Sequence, residues 1–186
     1  MSMEDASSIL KIACGAKKRL GIGSNDVLFL TVGCHNQSEL DLLPPVIRRL
    51  ADRFPTLHPT VKLIPFKSMA NLLDEERIHV MFGFQQDEQK KPIGLFHELA
   101  RIPLACVCST GHPYAGRTCL NVDELKGPMV LGEPHRLPPS VLQSQIRVSS
   151  SCHPSELFFV DTYESILALV RSGLGFSLLP SYPGCE

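Results

Sequence analysis

Two short stretches of this sequence bring reactive or anion-binding side chains to points where backbone donors should be free. The first is Gly33-Cys34-His35-Asn36-Gln37-Ser38, between a β-rich run and a helical one. A thiol beside an imidazole at a strand end can act as a nucleophile with its base, and a helix N-terminus would lower the thiol pKa. Adjacent residues at a strand end point in different directions. That weakens Cys34-His35 as a catalytic pair and leaves redox sensing through Cys34 as a secondary reading. The second stretch is Lys67-Ser68-Met69-Ala70, where a cation stands beside the first N–H groups of a helix. It makes an anion seat if Lys67 turns inward and a solvated surface if it does not. His79, on a buried-looking strand, reads as a core histidine and not a metal ligand.

Other chemistries lack their signatures. The sequence has no hydrolase elbow, no P-loop and no G-x-G-x-x-G. The seven cysteines (Cys14, Cys34, Cys106, Cys108, Cys119, Cys152 and Cys185) are odd in number and irregularly spaced, without a C-x-x-C pair. They suit neither a zinc site nor a disulfide framework, so no metal or cofactor is expected and a reducing cytosol is the simpler setting. With 18 Lys+Arg against 19 Asp+Glu, the net charge of −1 gives this chain no electrostatic hold on a nucleic acid. No run approaches the roughly 18 apolar residues of a membrane span. The opening MSMEDASSILKIACGAKKRLGIG puts acidic residues before basic ones, the reverse of a secretory signal.

The elements that would position these residues can be read from periodicity. Ile9, Ile12, Ala13, Ala16 and Leu20 predict an amphipathic helix over Ser8–Leu20, stopped by Gly21. Val27–Val32 reads as a strand buried on both faces of a parallel sheet. Leu40, Leu43, Ile47, Leu50 and Phe54 then predict one helix, Val61–Phe66 a strand, Ser68–Glu76 a helix and Ile78–Gly83 a strand. That β-α-β-α-β order implies right-handed crossovers in an open sheet. Gln85–Pro92 reads as an exposed loop, followed by extended segments at Ile93–Leu99 and Ile102–Cys108. A second α/β pattern comes next: strand Pro128–Leu131, helix Val141–Ile146, strand Leu157–Val160, helix Tyr163–Ser172 and strand Leu174–Leu179. Gly173 stops the last helix, and Gly175 allows close helix–strand approach. Two lobes are therefore expected, with ligands bound beyond the carboxyl ends of the strands.

Four pieces then resemble a known family. Leu43-Pro44-Pro45-Val46-Ile47-Arg48-Arg49-Leu50-Ala51-Asp52-Arg53-Phe54-Pro55, with Leu72-Leu73 and Arg77–Gly83 behind it, resembles the opening of the effector-binding domain of LysR-type transcriptional regulators. His112-Pro113-Tyr114 and Val122-Asp123-Glu124-Leu125 are similar to its middle section, and Leu169–Pro180 to its "lV.aGlGi.llP" ending. The resemblance covers about Val27–Pro180. It implies an α/β fold of two Rossmann-like lobes, of the type 2 periplasmic-binding-protein kind, with an interlobe ligand cleft and a linker-helix remnant in front. The expected divisions are residues 1–25 for that remnant, 26–105 for lobe I and 106–186 for lobe II with its return strand. Family members usually continue beyond the Leu-Leu-Pro motif into the first lobe, which implies that lobe I is incomplete here.

The resemblance also implies a cytoplasmic, non-enzymatic sensor. It would bind a small, carboxylate-bearing effector, form a homo-dimer or tetramer, and reach DNA only through a winged helix-turn-helix domain outside this sequence. Family members place a Ser or Thr where Gln37 stands, so His35, Asn36, Gln37 and Ser38 become candidate ligand contacts, Ser38 being alternatively a plain N-cap. Lys67 and Ser68 join them, with Phe84 either walling the pocket or packed in the core. From the second lobe the same analogy adds Pro139, Ser140 and Thr162, although Thr162 also suits the cap of its own helix. A solute-binding protein is the other reading of this fold. Exported members carry a signal, and none is legible here.

Overall fold

The computed structural model describes residues 27–84 and 94–182, so the helix expected over Ser8–Leu20 and the loop expected over Gln85–Pro92 lie outside the described residues. The chain divides into two units between Arg101 and Ile102. The division falls before residue 105 because β4 (Leu104–Cys108) is hydrogen-bonded along its length to β7 (Phe176–Pro180), and Ser181 N donates to Pro103 O at 2.9 Å. Residues 102–105 therefore belong to the second unit.

In the first unit, β1 (Leu28–Cys34) lies between β2 (Leu57–Leu63) and β3 (Val80–Met81), all parallel, in the order β2-β1-β3. Leu28, Leu30, Val32 and Cys34 point to one side, as alternate strand residues must, and pack on Leu43, Val46 and Leu50. Those three partners recur at helical spacing from the N-cap, Leu43, into α2 (Pro44–Arg53). The single helix expected over Leu40–Phe54 is broken into α1 (Gln37–Asp41) and α2. Pro44 and Pro45 have no N–H to continue the α1 ladder, yet they suit the first turn of a new helix, where such donors would be orphaned.

The other face of β1 is not covered throughout, contrary to the expected burial on both sides, and Phe29 is 64% exposed. Beneath α3 (Phe66–Asp74) the cluster of Ile64, Met69 and Ile78 reaches only the carboxyl end of the strand. Gly33 is what lets it approach, since a Cβ there would stand 2.9 Å from Ile78 Cδ1. The strand expected at Ile78–Gly83 shortens to Val80–Met81, and His79 explains how the pairing begins. Its N–H donates to Thr31 O at 2.8 Å and its ring Nδ1 accepts from Thr31 N at 2.9 Å, so the side chain closes the ladder one residue early. His79 is half-buried and engaged with backbone.

The second unit has a four-stranded sheet ordered β4-β7-β5-β6, with β5 at Met129–Gly132 and β6 at Leu157–Val160. Its first strand, β4, runs antiparallel to β7, while β5 pairs in parallel with both β6 and β7. Helices α4 (Pro139–Ser149) and α5 (Tyr163–Arg171) bury Val141, Ile166 and Val170 in one core cluster with Val130 and Leu179. Met129, Phe176 and Leu178 meet Leu125 and Val148 in another. Ile93–Leu99, expected to be extended, forms no strand over its described residues 94–99.

Gly173 ends α5 with a positive φ of 77°, and Gly175 adopts a φ of 154°. A Cβ on Gly175 would lie 2.2 Å from Pro128 O, which itself accepts the Phe176 N–H at 3.1 Å. The close approach that this glycine permits is therefore to the backbone entering β5, not to a helix. Replacing Gly175 by Ala adds backbone strain and a clash with an immovable carbonyl. It is expected to cost about 3 kcal/mol or more, measured as a lowered urea midpoint.

Candidate functional site

The turn ending β1 is built on a buried carboxyl group. Asn36 has the extended backbone of an N-cap, and its Oδ1 accepts from Glu39 N at 3.0 Å. That bond fixes the amide's orientation and leaves Nδ2 facing His35 Nε2 at 3.0 Å. With Nε2 accepting, the ring proton sits on Nδ1. Glu39 turns back beneath this cap. One carboxyl oxygen accepts from His35 N at 2.8 Å, and the other lies 2.6 Å from His35 Nδ1. This second contact is short but off-line for the ring N–H, which has no aligned acceptor. The side chains of His35 and Glu39 are 4% and 1% exposed, so the pair is sealed from water.

Of the residues expected to hold a ligand at this turn, His35, Asn36 and Ser38 are thus turned inward or buried. Gln37 is exposed, and its Nε2 donates to Asp41 Oδ1 at 2.8 Å. Ser38 is not the N-cap, because Asn36 holds that place. Glu39, which organises the turn, is not among the residues expected from sequence, although Asn-x-x-Glu before an apolar run is a capping signature. Beyond the turn the His35 ring meets Phe66 and Phe84 edge-on, with centroids 5.4 and 5.9 Å away, and Phe66 and Phe84 stand 6.0 Å apart. Phe66 is the first residue of α3, so these rings bring the α3 N-terminus to the end of β1. Lys67 and Ser68 come next, both exposed, on a helix whose N-cap, Pro65, supplies no side-chain bond.

In the second unit, Pro139 and Ser140 form the exposed first turn of α4, which likewise lacks a side-chain cap. Thr162 caps α5, its Oγ1 accepting from Ser165 N at 3.1 Å. Gln145, also missed in the sequence, is buried inside this unit. It accepts from Gly132 N at 3.2 Å and donates to Leu178 O at 3.0 Å, tying α4 to the end of β5 and to β7. Among the described residues no group of three or more His, Cys, Asp or Glu is arranged to hold a metal ion. No described helix is long and apolar enough to cross a membrane.

Residues 29–184 match the family described as LysR substrate binding domain. The chain belongs to that family. No curated protein matches it by sequence. Among solved structures, HinK, a LysR family transcriptional regulator from Pseudomonas aeruginosa, aligns at 20% identity with a TM-score of 0.56, over 95% of this chain and 60% of that one. The BenM effector binding domain, solved with its effector benzoate, aligns at 20% identity and a TM-score of 0.58, over 84% of this chain and 72% of the other. The CcmR regulatory domain of Synechocystis PCC6803, in complex with 2-PG, aligns at 12% identity and a TM-score of 0.64, over 85% and 75% of the two chains. This chain therefore spans about 60% of the length of the first of these relatives. The α/β fold with two sheets is the type 2 periplasmic-binding-protein-like fold of LysR effector-binding domains.

Within this LysR domain, Cys34 departs from the expected reactive thiol. It is fully buried in the β1 core. Burial, then the nearby charge of Glu39, push its pKa up to about 12, so the helix after it does not activate it. At pH 8, Ellman's reagent is expected to spare Cys34 in the native protein while modifying the exposed Cys119. Urea should release Cys34, as read by peptide mass mapping. Rapid native labelling of Cys34 would restore redox sensing as a reading.

Proposed function

We propose that this chain is the sensing part of a cytoplasmic LysR-type transcriptional regulator. It binds a small anionic, carboxylate-bearing metabolite and catalyses no reaction on it. The full protein would reach DNA through a separate N-terminal domain and act as a homo-dimer or tetramer. An effector that prefers one conformation of the sensor shifts its population, and the DNA-binding domains respond through that shift. Benzoate and 2-PG in the BenM and CcmR structures support a small-molecule effector for a domain of this kind.

The observation that carries the reading is the α3 N-terminus. Its first N–H groups have no side-chain cap, Lys67 and Ser68 are exposed there, and Phe66 joins it to the end of β1. A ligand carboxylate at that helix end gains both the backbone donors and the Lys67 charge. The inward-facing groups of the β1 turn are a poorer choice, since Asn36 and His35 already serve Glu39. The site in this unit is therefore Lys67 and Ser68 with Phe66 and Phe84 beside them. Pro139, Ser140 and Thr162 remain proposed contacts of the second unit, the uncapped α4 turn being the better donor surface of the two helix ends.

Thermal-shift screening against small carboxylates should find a stabilising compound. The double variant Lys67→Ala/Ser68→Ala should weaken it about tenfold or more, a loss of roughly 1.4 kcal/mol, by calorimetry. Unchanged affinity in the double variant rejects this placement of the site, and turnover of the bound compound rejects the non-enzymatic reading.

A further inference from the structure

The first sheet has one face that the described residues leave partly open. Its three strands are all parallel, and a parallel sheet keeps its apolar side chains from water only when both faces are covered. One face has α2. On the other, the cluster beneath α3 reaches only the carboxyl end of β1, so Val27 and Phe29 stand 43% and 64% exposed. The Phe29 ring meets the exposed His58 ring on neighbouring β2 at 5.9 Å, still within the same face. We propose that the stretch Ser8–Leu20, which lies outside the described residues, covers this face as an amphipathic helix, with Ile9, Ile12, Ala13, Ala16 and Leu20 against Val27 and Phe29.

Each partner needs what the other offers. A stretch of 13 residues interrupted by Gly15 is a marginal helix alone in water and gains its stability by packing its apolar side. At helical spacing Lys11 and Lys18 fall opposite that side, where they stay solvated. The helix would be about 20 Å long, close to the roughly 23 Å that seven strand residues span, the length of β1. Ala13 and Ala16 are small enough to admit the Phe29 ring between the larger residues of the stripe. The connection Gly21–Val27 reaches up to about 23 Å, and Gly21 and Gly23 let it turn the helix back over the strand it precedes. So short a tether holds the stretch beside the sheet at an effective concentration in the millimolar range, which favours it over a second copy of the chain. Ser8–Leu20 is then part of the first unit's core and not a free tether, whether or not the domain binds an effector.

The test puts benzoylphenylalanine, a photo-crosslinker of similar shape, in place of Phe29 in the full chain. On irradiation it should capture a peptide from Ser8–Leu20 of the same molecule, in a yield that dilution leaves unchanged, as read by peptide mass mapping. Capture between molecules that falls on dilution gives the face to a second copy and overturns the proposal. Capture of another segment, or of none, overturns it as well. The variant Ile12→Asp/Ala16→Asp alters neither sheet nor α2 and α3. It should abolish the capture and, in the chain with its native Phe29, lower the melting temperature by roughly 5 °C. An unchanged melting temperature in that variant overturns the proposal even if the crosslinker-bearing protein fails to fold.

Discussion

A carboxyl group taken out of water must find donors within the fold, and that requirement organises the first unit around Glu39. Its oxygens meet His35 by backbone and ring, and its own N–H is capped by Asn36, so three residues of one turn are positioned by one another. With the His35 ring fixed in this way, Phe66 and Phe84 have a surface to pack on, and the start of α3 is brought to the end of β1. The exposed Lys67 and Ser68 inherit their position from that contact. The surface proposed to recognise the effector thus depends on a buried polar pair behind it.

The second unit meets a similar demand with neutral groups. The carboxyl end of β5 needs a partner for the Gly132 N–H, and Gln145 supplies it from α4 while donating to Leu178 O on β7. Ser177 Oγ adds a bond to Val130 O at 2.7 Å. An amide can both accept and donate, so one buried side chain joins two strands and a helix without placing a charge in the core. At the start of β7, Gly175 sets the spacing to Pro128 by having no side chain. The two features together hold β5 and β7 in parallel register at the pair they share, Met129 with Phe176.

Burial also decides which reactive side chains keep their chemistry. Cys34 and His35 are neighbours in sequence, yet Cys34 faces the apolar core of β1 while His35 turns into the Glu39 network. The chain turns at the strand end between them, and burial, then the nearby charge of Glu39, push the thiol pKa up to about 12. His79, read from the sequence as a core histidine, completes a β ladder through its ring. Cys34 and His79 are thus both held in structural roles.

Element order, the two α/β units and the family were all legible in the residues themselves. Hydrophobic periodicity, Gly173 at the end of a helix and the Leu169–Pro180 ending are local properties, and most described elements formed close to their expected places; the strand expected at Val61–Phe66 instead runs over Leu57–Leu63, and the helix expected from Ser68 begins at Phe66. The split of α1 from α2 was also local and legible in Pro44-Pro45, but helical spacing across it masked the break. Which side chains are available was decided only by packing between elements. Ser38 and Asn36 are as polar on paper as Ser68, and only packing turns the first two inward and leaves the third in water. Glu39 escaped notice for the same reason, since an isolated acidic residue in a helical run looks solvated until the strand end, the cap and the His35 ring close over it. Availability depends on neighbours brought together from different elements, and spacing along one chain carries no record of it.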